Sequence, residues 1–179
     1  GMMATAHDEN IRCAVPVGSS ADCGRSAKDK RTYSQRLDWE DMMKIDRVER
    51  VMTGQSRRVP YEVLVPSGRA EADSIVTMYK VAERYPDGYP MENYDHAYTF
   101  APEEHVARIS PRPVLFIHTE RDTIVAVHEA KSFYAHAQEP KKLTIIPGAN
   151  HVDVYEPRNP AVFNVVVGHM KEFFNAHLR

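Results

Sequence analysis

Two side chains in this sequence have the types and setting of a proton relay. Asp122 closes the turn Thr119-Glu120-Arg121-Asp122, just past the apolar run Pro113-Val114-Leu115-Phe116-Ile117-His118. His151 closes Pro147-Gly148-Ala149-Asn150-His151, just past Lys142-Leu143-Thr144-Ile145-Ile146. A carboxylate that accepts from one imidazole nitrogen fixes the tautomer, and leaves the other nitrogen able to take a proton from a hydroxyl nucleophile. Acid before histidine is the back half of a Ser…Asp…His arrangement. Taken singly, each residue is ordinary: a histidine after a turn usually packs, and a strand-terminal Asp usually caps the next helix. The information lies in the order, acid before histidine, each after one of two consecutive strands.

Positioning such a pair requires a βαβ unit. Continuous β-branched and aromatic runs, rather than alternating ones, predict strands covered on both faces. Between them Ala126, Val127, Ala130, Phe133, Tyr134 and Ala137 make the stripe of a crossover helix. Open α/β sheets place their chemistry at the carboxyl ends of the strands, where Asp122 and His151 both fall. Ile11 to Val17 reads as a further strand that turns away at Gly18-Ser19-Ser20, and Pro16 demotes it toward an edge or a bulge. Asn159 and Pro160 open a closing helix with Val162, Phe163, Val166, Val167, Met170, Phe173 and Phe174 at helical spacing.

The middle of the chain is less regular. Ala21 to Arg31 reads as polar loop, and Asp38 to Gln55 as a helix carrying Trp39, Met42, Met43, Ile45, Val48, Val51 and Met52, stopped by Gly54. Val59 to Pro66 is short and extended. Ile75, Met78, Tyr79 and Ala82 mark another helix that ends before Pro86. Tyr85 to Phe100 reads as a Pro/Gly/Tyr loop whose rings either pack on the core or line a pocket. Pro102-Glu103-Glu104 is a helix first turn, and that helix stops at Ser110-Pro111.

Composition narrows the function classes. At 179 residues the chain suits one domain of α/β class. A net charge of −2 with interspersed signs argues against a nucleic-acid partner. No apolar stretch reaches bilayer length and no signal peptide opens the chain, so no membrane role and a cytoplasmic setting are expected. Cys13 and Cys23 fit neither a metal knuckle nor a secreted disulfide framework, and Cys13 reads as a small buried hydrophobe. The histidines show no HExxH or paired-ligand spacing and no phosphate loop appears, so neither a metal nor another cofactor is expected.

The segments Ile109 to Val125 and Ile146 to His151 resemble the acid strand and the histidine loop of the α/β-hydrolase superfamily, particularly its dienelactone-hydrolase-like and small esterase or peptidase branches. The closing helix is similar as well. The resemblance covers Ile109 to Arg179 well, Gly1 to Val17 plausibly and the middle poorly. It implies that residues 1–20 and 101–179 form the sheet core and that 21–100 occupy the place of a variable helical cap. It implies acyl transfer on a small-molecule acyl, ester or small-peptide substrate, with Asp122 orienting His151. The family's nucleophile elbow, G-x-S-x-G, is nowhere in these residues. Gly1-Met2-Met3-Ala4 looks like the stretch that follows such a serine, so a truncated domain lacking the serine and both oxyanion donors is implied, inert in isolation.

Three readings follow. The serine lies upstream of Met2; or the chain is a non-catalytic module of the same ancestry, kept for self-association or ligand binding; or a substitute nucleophile sits on the rim after the first strand, at Ser19 or Ser20 near Asp22 and Cys23. A first strand without its neighbour would leave an open edge, so a homodimer formed by strand pairing or helix packing is expected.

Overall fold

The computed structural model describes residues 1–60, 84 and 87–178. The chain divides into two compact units, Gly1–Asp22 with Ala101–Arg179, and Cys23–Phe100.

The first unit is built on a parallel pair. Strands β3 (Val114–Thr119) and β4 (Lys141–Ile146) run in register from Val114 opposite Lys141 to Thr119 opposite Ile146, and the helix α5 (His128–His136) lies between them in sequence. All six residues of β3 are buried, as a central strand requires. The expectation that β4 is covered on both faces needs correction: only Ile146 is fully buried. Lys142 reaches solvent because, among the described residues, no strand pairs with the far side of β4.

Ile11 to Val17 is the second correction. It forms no regular strand but two isolated parallel bridges, Ala14 to Val114 and Val17 to Ile117. Four backbone bonds join it to β3: Ala14 N–H to Pro113 C=O, Leu115 N–H to Ala14 C=O, Ile117 N–H to Pro16 C=O and Gly18 N–H to Ile117 C=O, at 3.0–3.2 Å. In a parallel ladder alternate residues face the same neighbour, so Ala14, Pro16 and Gly18 all turn toward β3. The missing rung is the one that Pro16, lacking an N–H, would donate to the Leu115 carbonyl.

Side chains of β3 alternate between two cores. Val114 and Phe116 meet Phe133 and Ala137 around α5, Met2 and Ala6 of α1 (Met2–His7), and Val106 and Ile109. Phe116 stacks on Phe133 with centroids 5.5 Å apart. Leu115 and Ile117 meet Val166, Val162, Met170 and Phe173 of the closing helix α6 (Pro160–His177). The Asn159 side chain accepts from Val162 N–H at 3.2 Å, the cap expected from its type. Residues 102–109 form two short 3-10 turns rather than one α-helix, Pro102–Glu104 and Val106–Ile109, and end at Ser110 as expected.

The second unit is mainly helical. Residues read as polar loop form α2 (Cys23–Asp29), with Gly24 and Ser26 buried. Helix α3 (Tyr33–Thr53) begins five residues earlier than its apolar pattern suggested. Thr32 and Gln35 make a reciprocal capping box there, and Gly54 closes the helix at φ 72°. Short antiparallel strands β1 (Arg58–Val59) and β2 (Tyr89–Pro90) lead into α4 (Met91–Tyr98). The expected loop across Tyr94 and Tyr98 is therefore a helix: Met91, Tyr94 and Tyr98 recur at helical spacing and pack on Trp39, Met43 and Val59. Of the apolar residues read on α3, only Trp39 and Met43 are buried, whereas Ile45, Val48, Val51 and Met52 are exposed. Residues 61–66 of the extended segment, the Ile75-Met78-Tyr79-Ala82 stripe and Tyr85-Pro86 lie outside the described residues.

Among the described residues no helix is long and apolar enough to cross a membrane. Phe116 is buried in the core of the first unit and stacks on Phe133, so truncating it leaves a cavity. Phe116→Ala is expected to lower stability by about 3–5 kcal/mol in urea melts, against about 0.5 kcal/mol or less for the exposed Val165→Ala.

Candidate active site

Backbone pairing past the ends of β3 and β4 brings the two turns together. Glu120 N–H donates to Ile146 C=O at 3.0 Å, and Arg121 N–H to Ala149 C=O at 2.9 Å. The Glu120 carboxylate accepts Gly148 N–H at 2.8 Å. Asn150 and Asp153 then form a reciprocal capping box that starts the 3-10 turn His151–Val154. These bonds fix where each turn leaves its strand, so the Asp122 and His151 side chains converge. His151 Nδ1 lies 2.8 Å from Asp122 Oδ2.

The Asp122 carboxylate has no solvent exposure, and its two oxygens accept four hydrogen bonds. Oδ1 takes the backbone N–H groups of Ile124 at 2.9 Å and Val125 at 2.7 Å. Oδ2 takes Thr119 Oγ1–H at 3.1 Å and His151 Nδ1–H at 2.8 Å. Burial opposes ionisation, but the His151 hydrogen bond and charge, with Val125 N–H, outweigh it and hold the carboxyl below its usual pKa. An ionised Asp122 can only accept, so Nδ1 of His151 carries the proton and Nε2 presents its lone pair. Among the described residues Nε2 makes no hydrogen bond, and the ring keeps 14% of its exposure.

A second histidine lies beneath the pair. His118, the fifth residue of β3, is fully buried, with Nε2 3.4 Å from Asp122 Oδ2. Its Nε2–H donates to Val125 C=O at 2.8 Å, and Nδ1 has no partner among the described residues. Burial pushes its pKa down, which leaves the ring neutral. His118 therefore holds the Val125 carbonyl while the Val125 N–H holds Asp122. Sequence reasoning passed over His118 as one of several scattered histidines. Its position in an otherwise apolar buried strand was the signal.

The rim after Ala14–Val17 also reaches the site. Gly18 turns at φ +58°, which favours glycine, and a Cβ there would lie 3.5 Å from His151 Cε1. Ser19, half-buried, donates its hydroxyl back to Val17 C=O at 3.4 Å and makes no hydrogen bond to His151. Ser20 is half-buried one residue further on. The Ala21 and Asp22 N–H groups donate to Glu129 Oε2 at 2.8 and 2.9 Å. Glu129, fully buried on α5, thus pins this loop, a role its place in a helix first turn did not disclose. Cys23 opens α2 in the other unit, its N–H bonded to Phe100 C=O. Cys13 is buried, and burial raises its thiol pKa.

No family model matches the chain. It is 42% identical over 74 residues to the uncharacterized protein PA2218 of Pseudomonas aeruginosa, which is 41% of this chain and 18% of that protein. It is 32% identical over 65 residues to the uncharacterized protein YfhR of Escherichia coli, covering 36% of this chain and 23% of the relative. The crystal structure of PA2218 superposes with a TM-score of 0.66 at 26% identity, over 98% of this chain and 56% of that one. The α/β hydrolase GrgF from Penicillium sp. superposes at 0.70 and 20% identity, over 98% of this chain and 59% of that one. The chain has the α/β-hydrolase fold, with helices around a short parallel sheet, and spans little more than half the length of these two structures.

Both buried titrating groups make acid unfavourable for the same reason. The native pKa of His118 lies below its ordinary 6.5, so the unfolded chain gains a proton first and stability falls as the pH drops below about 6.5. The contribution of Asp122 is complete above its ordinary 3.8 and is lost as the pH falls through its lower native value. Urea midpoints followed from about pH 7.5 to 5 should decline, and His118→Gln should flatten that window while leaving the steeper loss near pH 3.

Proposed function

We propose that this chain supplies the acid and the base of a serine-type acyl or ester hydrolase, with the serine and the oxyanion donors contributed by residues outside these 179. The observation that carries this reading is the 2.8 Å hydrogen bond between a buried, ionised Asp122 and His151 at the carboxyl ends of neighbouring parallel strands. The α/β-hydrolase fold supports it, and the named hydrolase GrgF lends the reaction class. His151 Nε2 would take the serine proton as Oγ attacks the acyl carbon, and Asp122 would stabilise the imidazolium so formed. The same proton then passes to the departing alcohol or amine. Water, activated by Nε2 in turn, releases the acid and restores the serine. The substrate is a small-molecule ester, acyl compound or short peptide.

The alternative is an inert module of the same ancestry, kept for self-association or ligand binding. It is favoured by two observations: no G-x-S-x-G occurs in these residues, and the Ser19 hydroxyl turns back onto its own backbone. Hydrolysis of p-nitrophenyl esters separates the readings. The 179-residue chain should run at the background rate. Adding the coding sequence upstream of Met2, with its G-x-S-x-G, should give turnover that His151→Ala lowers about 10³–10⁴-fold. An upstream sequence without that serine rejects the proposal in favour of the inert module. Turnover by the chain alone that Ser19→Ala abolishes would place the nucleophile on the rim instead.

A further inference from the structure

His118 is a polar residue in a place that packing alone would give to an aliphatic one. It has no solvent exposure and shares β3 with Val114, Leu115, Phe116 and Ile117. Its Nδ1 finds no partner among the described residues. A buried, unsatisfied polar atom destabilises a fold, and leucine at this position would have none. Such departures from local packing rules are expected where a site requires them, and this one lies against the acid of the relay.

The turn after β3 is held in two halves. Thr119 Oγ1–H and the Ile124 and Val125 amides all close on the Asp122 carboxylate from within residues 119–125. They stiffen the turn without fixing where it sits. The first half is anchored by Glu120 N–H to Ile146 C=O and Arg121 N–H to Ala149 C=O. The second half is tied back to β3 at Val125, whose carbonyl accepts His118 Nε2–H at 2.8 Å. That same nitrogen lies 3.4 Å from Asp122 Oδ2, too far to take the oxygen from His151 Nδ1 at 2.8 Å. The Val125 carbonyl thus draws the His118 proton off Oδ2 and leaves that oxygen to Thr119 and His151. Burial keeps the His118 ring uncharged against the pull of Asp122 and Glu129, so no second cation competes for the carboxylate.

We propose that His118 is a positioning residue of the relay: by holding the Val125 carbonyl it sets the Asp122 carboxylate in the orientation that keeps the His151 proton on Nδ1. His118 has this role only if Asp122 and His151 work as an acid–base relay, and it acts through Asp122 rather than on a substrate. Without the tether a buried carbonyl would be left unpaired, the Val125 backbone would shift to satisfy it, and the Val125 amide would leave Oδ1. The carboxylate could then rotate away from Nδ1, and the His151 proton would settle on Nε2 instead.

Heteronuclear NMR of the full 179-residue chain, labelled at histidine, reads the tautomer of each ring without needing a serine. At about pH 8, above the ordinary imidazole range, the wild type should show His151 as the Nδ1–H form and His118 as the Nε2–H form. His118→Leu, which cannot donate, should raise the Nε2–H fraction of His151 at least about threefold and speed solvent exchange of its Nδ1 proton about tenfold. His118→Gln should keep the wild-type pattern, because its amide nitrogen stands the same number of bonds from Cβ and can donate to the same carbonyl. Asp122→Asn tests the relay by itself and should drive His151 to the Nε2–H form. If Asp122→Asn converts the tautomer and folded His118→Leu does not, the relay stands and the role given to His118 falls. It falls equally if His118→Gln behaves as His118→Leu does, or if the wild-type His118 ring carries its proton on Nδ1, which needs no variant to fold. A wild-type His151 already in the Nε2–H form overturns the relay and the role of His118 together.

Discussion

A buried carboxylate that gives up water must recover every hydrogen bond it loses, and this constraint governs the carboxyl ends of the sheet. Asp122 meets it with two backbone N–H groups, a threonine hydroxyl and an imidazole. Leaving even one of those acceptor positions unfilled in such a site costs roughly 1–3 kcal/mol. The carboxylate can therefore stay ionised where burial alone would neutralise it, and its charge dictates the tautomer of His151. Thr119, Ile124, Val125 and His118 are arranged around this requirement.

The sheet supplies the precision that this arrangement needs. Parallel register ends β3 and β4 at the same level, Thr119 opposite Ile146, and the Glu120 and Arg121 amides extend the pairing two residues into the turns. The cores on either side of β3 are separate sets of residues, so the strand is clamped between α5 and α6. A one-residue slip between β3 and β4 would carry the acid past the histidine and reverse which core each side chain of the slipped strand faces. Glu129 adds a tie from α5 to the Ala21 and Asp22 amides, just beyond the glycine that abuts the imidazole.

The second unit shows how amphipathic patterning can mislead. Helical spacing was right for α3, but spacing cannot say which of two apolar stripes meets a core. Asp46 makes the distinction: it is fully buried, accepting from Ser56 Oγ–H and Arg57 N–H and paired with Arg50. Arg47 and Arg50 together hold Asp95 of α4, and the bond to Arg47, despite partial burial, keeps that carboxyl below its usual pKa. Polar residues thus dock α4 on one side of α3 and leave Tyr33, Leu37, Ile45, Val48, Val51 and Met52 exposed.

Much of the site was legible in the sequence because its signals are local. Continuous apolar runs marked β3 and β4, the Asn159-Pro160 start marked α6, and the order of Asp122 and His151 marked the relay. What stayed hidden depends on partners distant in the chain. Pro16 breaks a rung because of which way it faces, α4 was masked by tyrosines that read as loop, and β4 is half-exposed because its outer edge has no strand beside it among the described residues. The sequence by itself determined which residues could form a relay and the strands that carry them, since type and period act over a few residues. Only the tertiary structure decided that Asp122 is desolvated and saturated, that His118 lies beneath it, and that half of α3 faces outward, because burial is a property of what packs against a residue.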